Sequence, residues 1–456
     1  MNETEKLAQF VCFSSFDAFP QNVVTSAKKR ILDAVGVGVF AAKSPWGRIV
    51  TDFAVENGCS GSSTLLGGLG RKCESLFAAF ANGTCVHGFE LDDVHYPSIS
   101  HPGSVVIPAA IALGEARGIS GKTLLESVIL GYEVMGRIGA TISRHHIAKG
   151  FHPTGTFGVF GAAATCAKIL SLNEEEIQDA FGIAGSFSSG IMQFSATGSM
   201  VKRVHAGNAA EQGMKAALLA KKGFTGPREV LEGKYGFCRV FVDFPESIEW
   251  EKMTAALGEK YVVQEISVKP SAACGVLHSV IDSIRMINEE RKIEADQIEE
   301  IKVLGHENLV NEHNVYEPNS ILSAQYSLPF TVGLAVEGKI DDPYVYLNES
   351  VLTDEKVLEI GSKVTTELDE GIQRVYPDKF GAEVSIRFKD GKIVKRKVFD
   401  PKGSCNNPFT ERELEEKFRA VTKGSLLERS VSVLIDRINS IESSKNINEL
   451  FEGISW

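Results

Sequence analysis

The chain has 456 residues, 43% of them hydrophobic, and a formal net charge of −11. That length and apolar content supply a large core and fit two or three domains. The acidic balance argues against the basic face that a nucleic-acid partner requires, and no run reaches the roughly 18 apolar residues of a membrane span. The first stretch, MNETEKLAQFVCFSSFDAFP, is acidic and lacks a basic segment before an apolar one, so it does not read as a secretory signal. The cysteines are Cys12, Cys59, Cys73, Cys85, Cys166, Cys238, Cys274 and Cys405. None forms a C-x-x-C pair. The spacing predicts free thiols in a reducing cytoplasm, not disulfides, a zinc site or an iron–sulfur cluster.

Up to about residue 260 the apolar residues recur at three and four, the helical period. Helices are expected over 20–42, with Pro20 at its start, and over 74–90, 104–118 and 120–142, the last capped by Ser120. Two more are expected over 156–172 and 173–190, where Asn173 and Glu176 have capping-box spacing. These segments are rich in Gly and Ala, which predicts a closely packed bundle. No fixed-period repeat is present. Near 260 the pattern changes. Strands are expected over 261–270 and 296–305, with a helix over 275–293 between them. Two β-rich runs in 382–399 flank Asp390-Gly391, a hairpin signal. After Pro401 the chain turns helical again, with a T-x-x-E box at Thr410 and Glu413. The fold class is therefore mainly α with a smaller α+β domain. A large helical-bundle domain spans 1–266, and 407–456 returns to it. An inserted or appended α+β domain spans 267–406.

Residues 87–103, HGFELDDVHYPSISHPG, place three histidines and three carboxylates within fifteen residues. Four further stretches gather polar chemistry: GFHPTGTFG with His152; MVKRVHAGN with Lys202, Arg203, His205 and the amide of Asn208; SVKPSAACGVLHS with Lys269, Cys274 and His278; and AQYSLPF with Tyr326 and Phe330. Taken singly, each has a bland reading. A lone histidine usually packs, a Lys-Arg pair is usually solvated, and Asp92-Asp93 suits a turn. Together they carry more weight. Eight of the ten histidines lie between 87 and 278, most beside Gly/Pro loops, where functional groups concentrate on a rigid scaffold. The Asp, Glu and His residues are competent metal ligands, but the spacing is neither H-E-x-x-H nor an EF-hand, so no required metal is expected. There is no P-loop and no G-x-S-x-G elbow. The glycines of STLLGGLGRK read as a turn.

These stretches, in this order, together with K-x4-C-x3-H over 269–278 and SAQYSLPF, resemble the MmgE/PrpD family. That family includes 2-methylcitrate dehydratases, cis-aconitate decarboxylases and iminodisuccinate epimerases. The resemblance extends over nearly the whole chain. It implies a helical large domain, a smaller α+β lid, a homodimer, and neither metal nor organic cofactor. By position it implies a site containing Glu90, Val94, His101, His152, Lys202, Lys269, Cys274, His278 and Phe330, with Asp92 and Asp93 as supporting residues. Glu90 stands where the decarboxylase pattern has Asp, Val94 where it has Thr, Cys274 where it has His, and Phe330 where it has Tyr. Cys274 is closer to the epimerase side.

The residue types then suggest a mechanism. Chemistry beside a carboxylate needs an acid or base near carbon and cations to hold the charge. Histidine titrates nearest neutrality, so His101 and His152 are the acid–base candidates. Lys202 and Lys269 suit carboxylates. Cys274 is either a packed thiol or a proton donor or acceptor. The expected activity is a cofactor-independent lyase acting on a small di- or tricarboxylate, 2-methylcitrate dehydratase-like. The alternatives are cis-aconitate decarboxylation, epimerisation of an iminodisuccinate-type dicarboxylate, or a catalytically inactive carboxylate-binding homologue.

Overall fold

The expected segments form helices or strands close to their expected bounds, with the exception of the strand expected over 261–270. The helices of the helical unit include Gln21–Phe40 (α1), Ser75–His87 (α2), Gly103–Arg117 (α3), Gly121–Ala148 (α4), Pro153–Ile169 (α5), Glu174–Phe187 (α6), Val201–Ala220 (α7), Glu411–Thr422 (α8) and Glu428–Asn439 (α9). Local chemistry explains their ends. Ser120 accepts from the Thr123 N–H and opens α4. Asn173 and Glu176 satisfy each other's backbone N–H groups at the start of α6. Gly118, at φ 62°, stops α3. The computed structural model describes every residue except Cys59 and Pro377. The expectation of a free thiol at Cys59 therefore lies outside the described residues; the other seven cysteines form no disulfide. No helix among the described residues is long and apolar enough to cross a membrane.

The chain forms two compact units, Met1–Ile266 with Glu411–Trp456, and Ser267–Thr410. The first is helical. Its core includes Val35, Ile107, Ile129, Phe157, Phe160 and Phe181, all fully buried. α7 packs on α2 and α5, and α5 packs on α4. Glycine sets the α2–α7 spacing: a Cβ on Gly83 would lie 2.8 Å from the Gly207 Cα, and one on Gly207 would strike the Phe80 carbonyl. Only bare backbone allows this approach.

The second unit is α+β. Its sheet has the order β2-β1-β3-β4, from Ile298–Gly305 (β1), Val364–Leu368 (β2), Ala382–Phe388 (β3) and Ile393–Val398 (β4). β1 and β2 run parallel, and the helical crossover between them supplies the length a parallel pair needs. β3 and β4 form the expected hairpin, with Gly391 at φ 83° in its turn. Helix His278–Glu290 packs on β3 and β4. The strand expected over 261–270 does not form. Only Ser267–Val268 is extended, and Val262–Gln264 makes a 3-10 turn. The reason is packing within the helical unit. Val262 donates its N–H to the buried Glu133 carboxylate and lies against Gly136 of α4. A short apolar run that reads as a strand here fills a helical core.

In the helical unit the loop between α2 and α3 is held from several sides. Lys417 of α8 donates to the Leu91 carbonyl at 2.8 Å and to Asp33 of α1 at 2.6 Å. Tyr132 of α4 donates to Asp93 Oδ2 at 2.6 Å, and the Gly103 N–H donates to Oδ1 at 2.9 Å. Burial, assisted by the neighbouring Asp92 charge, pushes the Asp93 carboxyl up to about 7, against these hydrogen bonds.

Two outcomes follow from this packing. Gly207→Ala should lower stability by about 1–3 kcal/mol, the usual cost of overpacking, read as a lower urea midpoint with an unchanged slope. The second concerns Asp93. The folded state keeps its proton to about pH 7, whereas an unfolded Asp releases it near its ordinary value of 3.8. Between those values the folded state binds more protons, so the Asp93 contribution is full below the lower value and is lost as pH rises through the upper one. The stability difference between wild type and Asp93→Asn should therefore shift with pH across this window, by up to about 1.4 kcal/mol per unit. A constant difference over the window would show that Asp93 is ionised throughout.

Candidate active site

The site of the helical unit is built from helix ends. His87 is the last residue of α2, His152 directly precedes α5, and Lys202 and His205 sit on the first turns of α7. His101 lies in the loop just before α3. All are buried except His101 and His205, which are partly exposed. Their rings form a row. His101 and His87 have centroids 4.8 Å apart, His87 stacks on His152 at 5.7 Å, and His152 meets His205 at 5.0 Å.

Carboxylates stand at one end of the row. Asp92 Oδ2 lies 2.7 Å from His87 Nδ1 and 3.3 Å from His101 Nδ1. His101 Nδ1 also lies 2.7 Å from the Asp93 carbonyl. Both Nδ1 atoms thus face oxygen acceptors, which fixes the proton on Nδ1 and the lone pair on Nε2 when the rings are neutral. His87 Nε2 is buried without a hydrogen-bond partner.

Lys202 is buried and forms an ion pair with the buried Glu90. Glu90 adopts φ 56°, a left-handed backbone unusual for a side-chain-bearing residue. Such strain costs on the order of 1–3 kcal/mol and persists only where the surroundings enforce it. Here Arg203 donates to the Gly88 carbonyl at 2.8 Å, with its guanidinium 3.8 Å over the Trp46 ring. Val94 is buried beside Asp93. The Asn208 amide donates to Ser189 Oγ at 3.0 Å.

Burial holds the His152 imidazole well below its usual range, and the potentials of His87, His205, Lys202 and His101 add to the effect. His205 is lowered to about 4, by burial first and then by His87 and Lys202. Both rings are neutral at neutral pH. His87, Asp92 and His101 each offer one ligand atom within 4.8 Å of one another, the geometry of a three-ligand cation site. A metal on either Nδ1 atom would have to displace the proton that now meets Asp92 or the Asp93 carbonyl.

The α+β unit carries the other candidates. Lys269 is buried just after the extended pair Ser267–Val268. Cys274 is half-buried, and its N–H donates to the Gln325 carbonyl at 2.8 Å. His278 opens the helix His278–Glu290; its two ring nitrogens each lie 3.2 Å from a backbone carbonyl, of Gly275 and Ser271. Burial, then Lys269, lowers it to about 4. Phe330 is buried in helix Leu328–Val336.

The helical unit therefore gathers Glu90, Asp92, His101, His152 and Lys202. It adds His87 and His205, to which the sequence alone assigns no role. Both stood in quoted stretches, but nothing in the spacing of residues 87, 152 and 205 signals that three different elements converge.

The MmgE/PrpD N-terminal domain model matches residues 5–247, and the MmgE/PrpD C-terminal domain model matches residues 271–441. The chain is 27% identical to the cis-aconitate decarboxylase-like protein oryM of Aspergillus oryzae, over all of this chain and 97% of that one. It is 26% identical to a cis-aconitate decarboxylase of Aspergillus terreus, over 98% and 95% of the two chains. It is 28% identical to the cis-aconitate decarboxylase of Mus musculus, over 99% and 94%. With both domain models matched along one chain and the helical and α+β units in place, this protein belongs to the MmgE/PrpD family.

Proposed function

We propose that the protein is a lyase acting on a small di- or tricarboxylate, moving a proton at a carbon beside a carboxylate without a bound cofactor. The observation that carries this reading is the row of imidazoles beside the buried Lys202, in which burial first of all holds His152 and His205 neutral. Burial and neighbouring positive potential keep His152 from taking a proton. A bound polyanion reverses the second cause. Its carboxylates lower the positive potential and raise the proton affinity of the ring where the substrate lies. Substrate binding thus activates the base. His152 and His101 act as base and acid, Lys202 holds a carboxylate, and Asp92 orients His101. Lys269 and Cys274 belong to the same reading, as anion partner and candidate proton carrier.

Two of the named relatives are cis-aconitate decarboxylases, so cis-aconitate is the first compound to assay and 2-methylcitrate the second. The thiol at Cys274 favours a second reading, epimerisation of an iminodisuccinate-type dicarboxylate. We also infer a cytoplasmic homodimer. Ile49 and Phe53, 60% and 47% exposed on helix Pro45–Asn57, give it an apolar face, and light scattering at twice the chain mass is the expected result.

Turnover in D2O followed by NMR separates the chemistries. A new olefin marks dehydration, carbon dioxide release marks decarboxylation, and deuterium uptake without net change marks epimerisation. Binding with none of the three would leave a carboxylate-binding protein. His152→Gln should lower kcat by about two to four orders of magnitude, the usual contribution of a positioned acid–base group. Near-normal turnover in that variant would remove His152 from the chemistry. Activity should persist in EDTA; loss that a divalent ion restores would assign the His87, Asp92 and His101 set to a metal.

A further inference from the structure

His205 belongs to the row but has no role of its own in the reading above, yet it makes the closest polar contact to His152. The two Nδ1 atoms lie 2.9 Å apart. The pair is enclosed with care. Phe194 sets its ring edge-on to both imidazoles, at 5.1 and 5.8 Å. The His152 N–H donates to the Gly190 carbonyl at 3.0 Å. Gly190 itself has φ 127°, and a Cβ there would lie 3.3 Å from His205 Nδ1 and 3.5 Å from His152 Cβ. The backbone is bare where the pair needs room. His152 is buried, and His205 is partly exposed.

Two neutral imidazoles joined through their Nδ1 atoms cannot share a tautomer. One must donate and the other accept. We propose that His205 is the positioning and relay residue for His152, fixing which His152 nitrogen carries the proton and passing that proton between the buried ring and solvent. The proposal rests on the acid–base reading of His152. The proton count closes without a co-reactant. His152 begins with its proton on Nδ1 and its lone pair on Nε2; His205 begins with its lone pair on Nδ1 and its proton on Nε2. Nε2 of His152 takes the proton from the substrate carbon, whose C–H electron pair stays on carbon. The Nδ1 proton of His152 crosses to Nδ1 of His205, and His205 releases its Nε2 proton to water. Run backwards, the same path delivers a proton to a carbanion. Both rings stay neutral at the beginning and the end, which the buried position of His152 demands. A histidine whose tautomer is set by the bond its other nitrogen makes is a general device.

The test has a spectroscopic arm and a kinetic arm. In 15N-histidine-labelled wild-type enzyme at neutral pH, without substrate, His152 should carry its proton on Nδ1 and His205 on Nε2. In His205→Ala the His152 tautomer should become mixed. A proton on His152 Nε2 in the wild type, or ring shifts that the variant leaves unchanged, overturns the proposal. In the kinetic arm, His205→Ala should lower kcat about a hundredfold, the lower end of an acid–base contribution, with KM held within about threefold. Imidazole added to the buffer should restore part of the rate. His205→Asn keeps a hydrogen-bonding group near the Nδ1 position but cannot relay; it should keep the His152 tautomer and remain slow. A loss that imidazole does not rescue, or full activity in His205→Asn, overturns the relay. The failures are distinguishable. Normal turnover of His152→Gln removes the acid–base reading while leaving the tautomer result standing. Unchanged ring shifts remove the relay and leave His152 as base.

Discussion

Lys417 ties the C-terminal segment of the chain to the loop that bears the acid–base groups. Its side chain is 9% exposed, and its ammonium reaches two acceptors, the Asp33 carboxylate of α1 and the Leu91 carbonyl. A buried ammonium must keep its partners, because removing one side of such a pair costs on the order of 3–5 kcal/mol. The loop between α2 and α3 therefore cannot drift without stranding a charge. From that fixed point, Asp92 and Asp93 follow within two residues. Tyr132 and the Gly103 N–H then fix Asp93 from the α4 and α3 sides. The helical return after residue 410 is thus a structural requirement of a site whose imidazoles, carboxylates and Lys202 all lie before residue 206 in the helical unit.

Desolvation governs what the held groups can do. Three buried carboxylates of the helical unit are paired with cations: Glu90 with Lys202, Asp33 with Lys417, Glu133 with Arg137. Unpaired, each would face a severe solvation penalty. The imidazoles need no counter-charge while neutral, and burial keeps His152 and His205 so. Hydrogen bonds then decide their tautomers. Asp92 and the Asp93 carbonyl do this for His87 and His101, and the Nδ1–Nδ1 contact does it for His152 and His205.

Much of this fold is legible in the sequence because it rests on local rules. The helical period, the Asn173–Glu176 box, the Ser120 cap and the Asp390-Gly391 hairpin each need only neighbours within a few residues. Tyr261–Ile266 fails for the converse reason. An apolar run of that length is compatible with a strand, and only the presence of Glu133 and Gly136 on α4 decides against it. The site divides along the same line. His101, His152 and Lys202 stand out in polar motifs beside Gly/Pro loops. His87 and His205 stand in the same motifs, but their contact with His152 depends on three helix ends converging. Tyr132 and Lys417 leave no trace. One lies in an apolar helix stripe and the other in a run of charged residues that reads as solvated.

The convergence itself follows from composition. Where glycine and alanine line a helix crossing, backbones meet and no space remains for long side chains. Gly83 and Gly207 meet this way one turn from His87 and within two residues of His205. Reactive groups are then displaced from the crossing to the helix ends just beyond it. There the same close approach brings together imidazoles that belong to different elements. The small residues that look least informative in the chain therefore set the distance between its most reactive ones. Widening the crossing by even a methyl group would separate α2 from α7, and with them His87 from the His152–His205 pair.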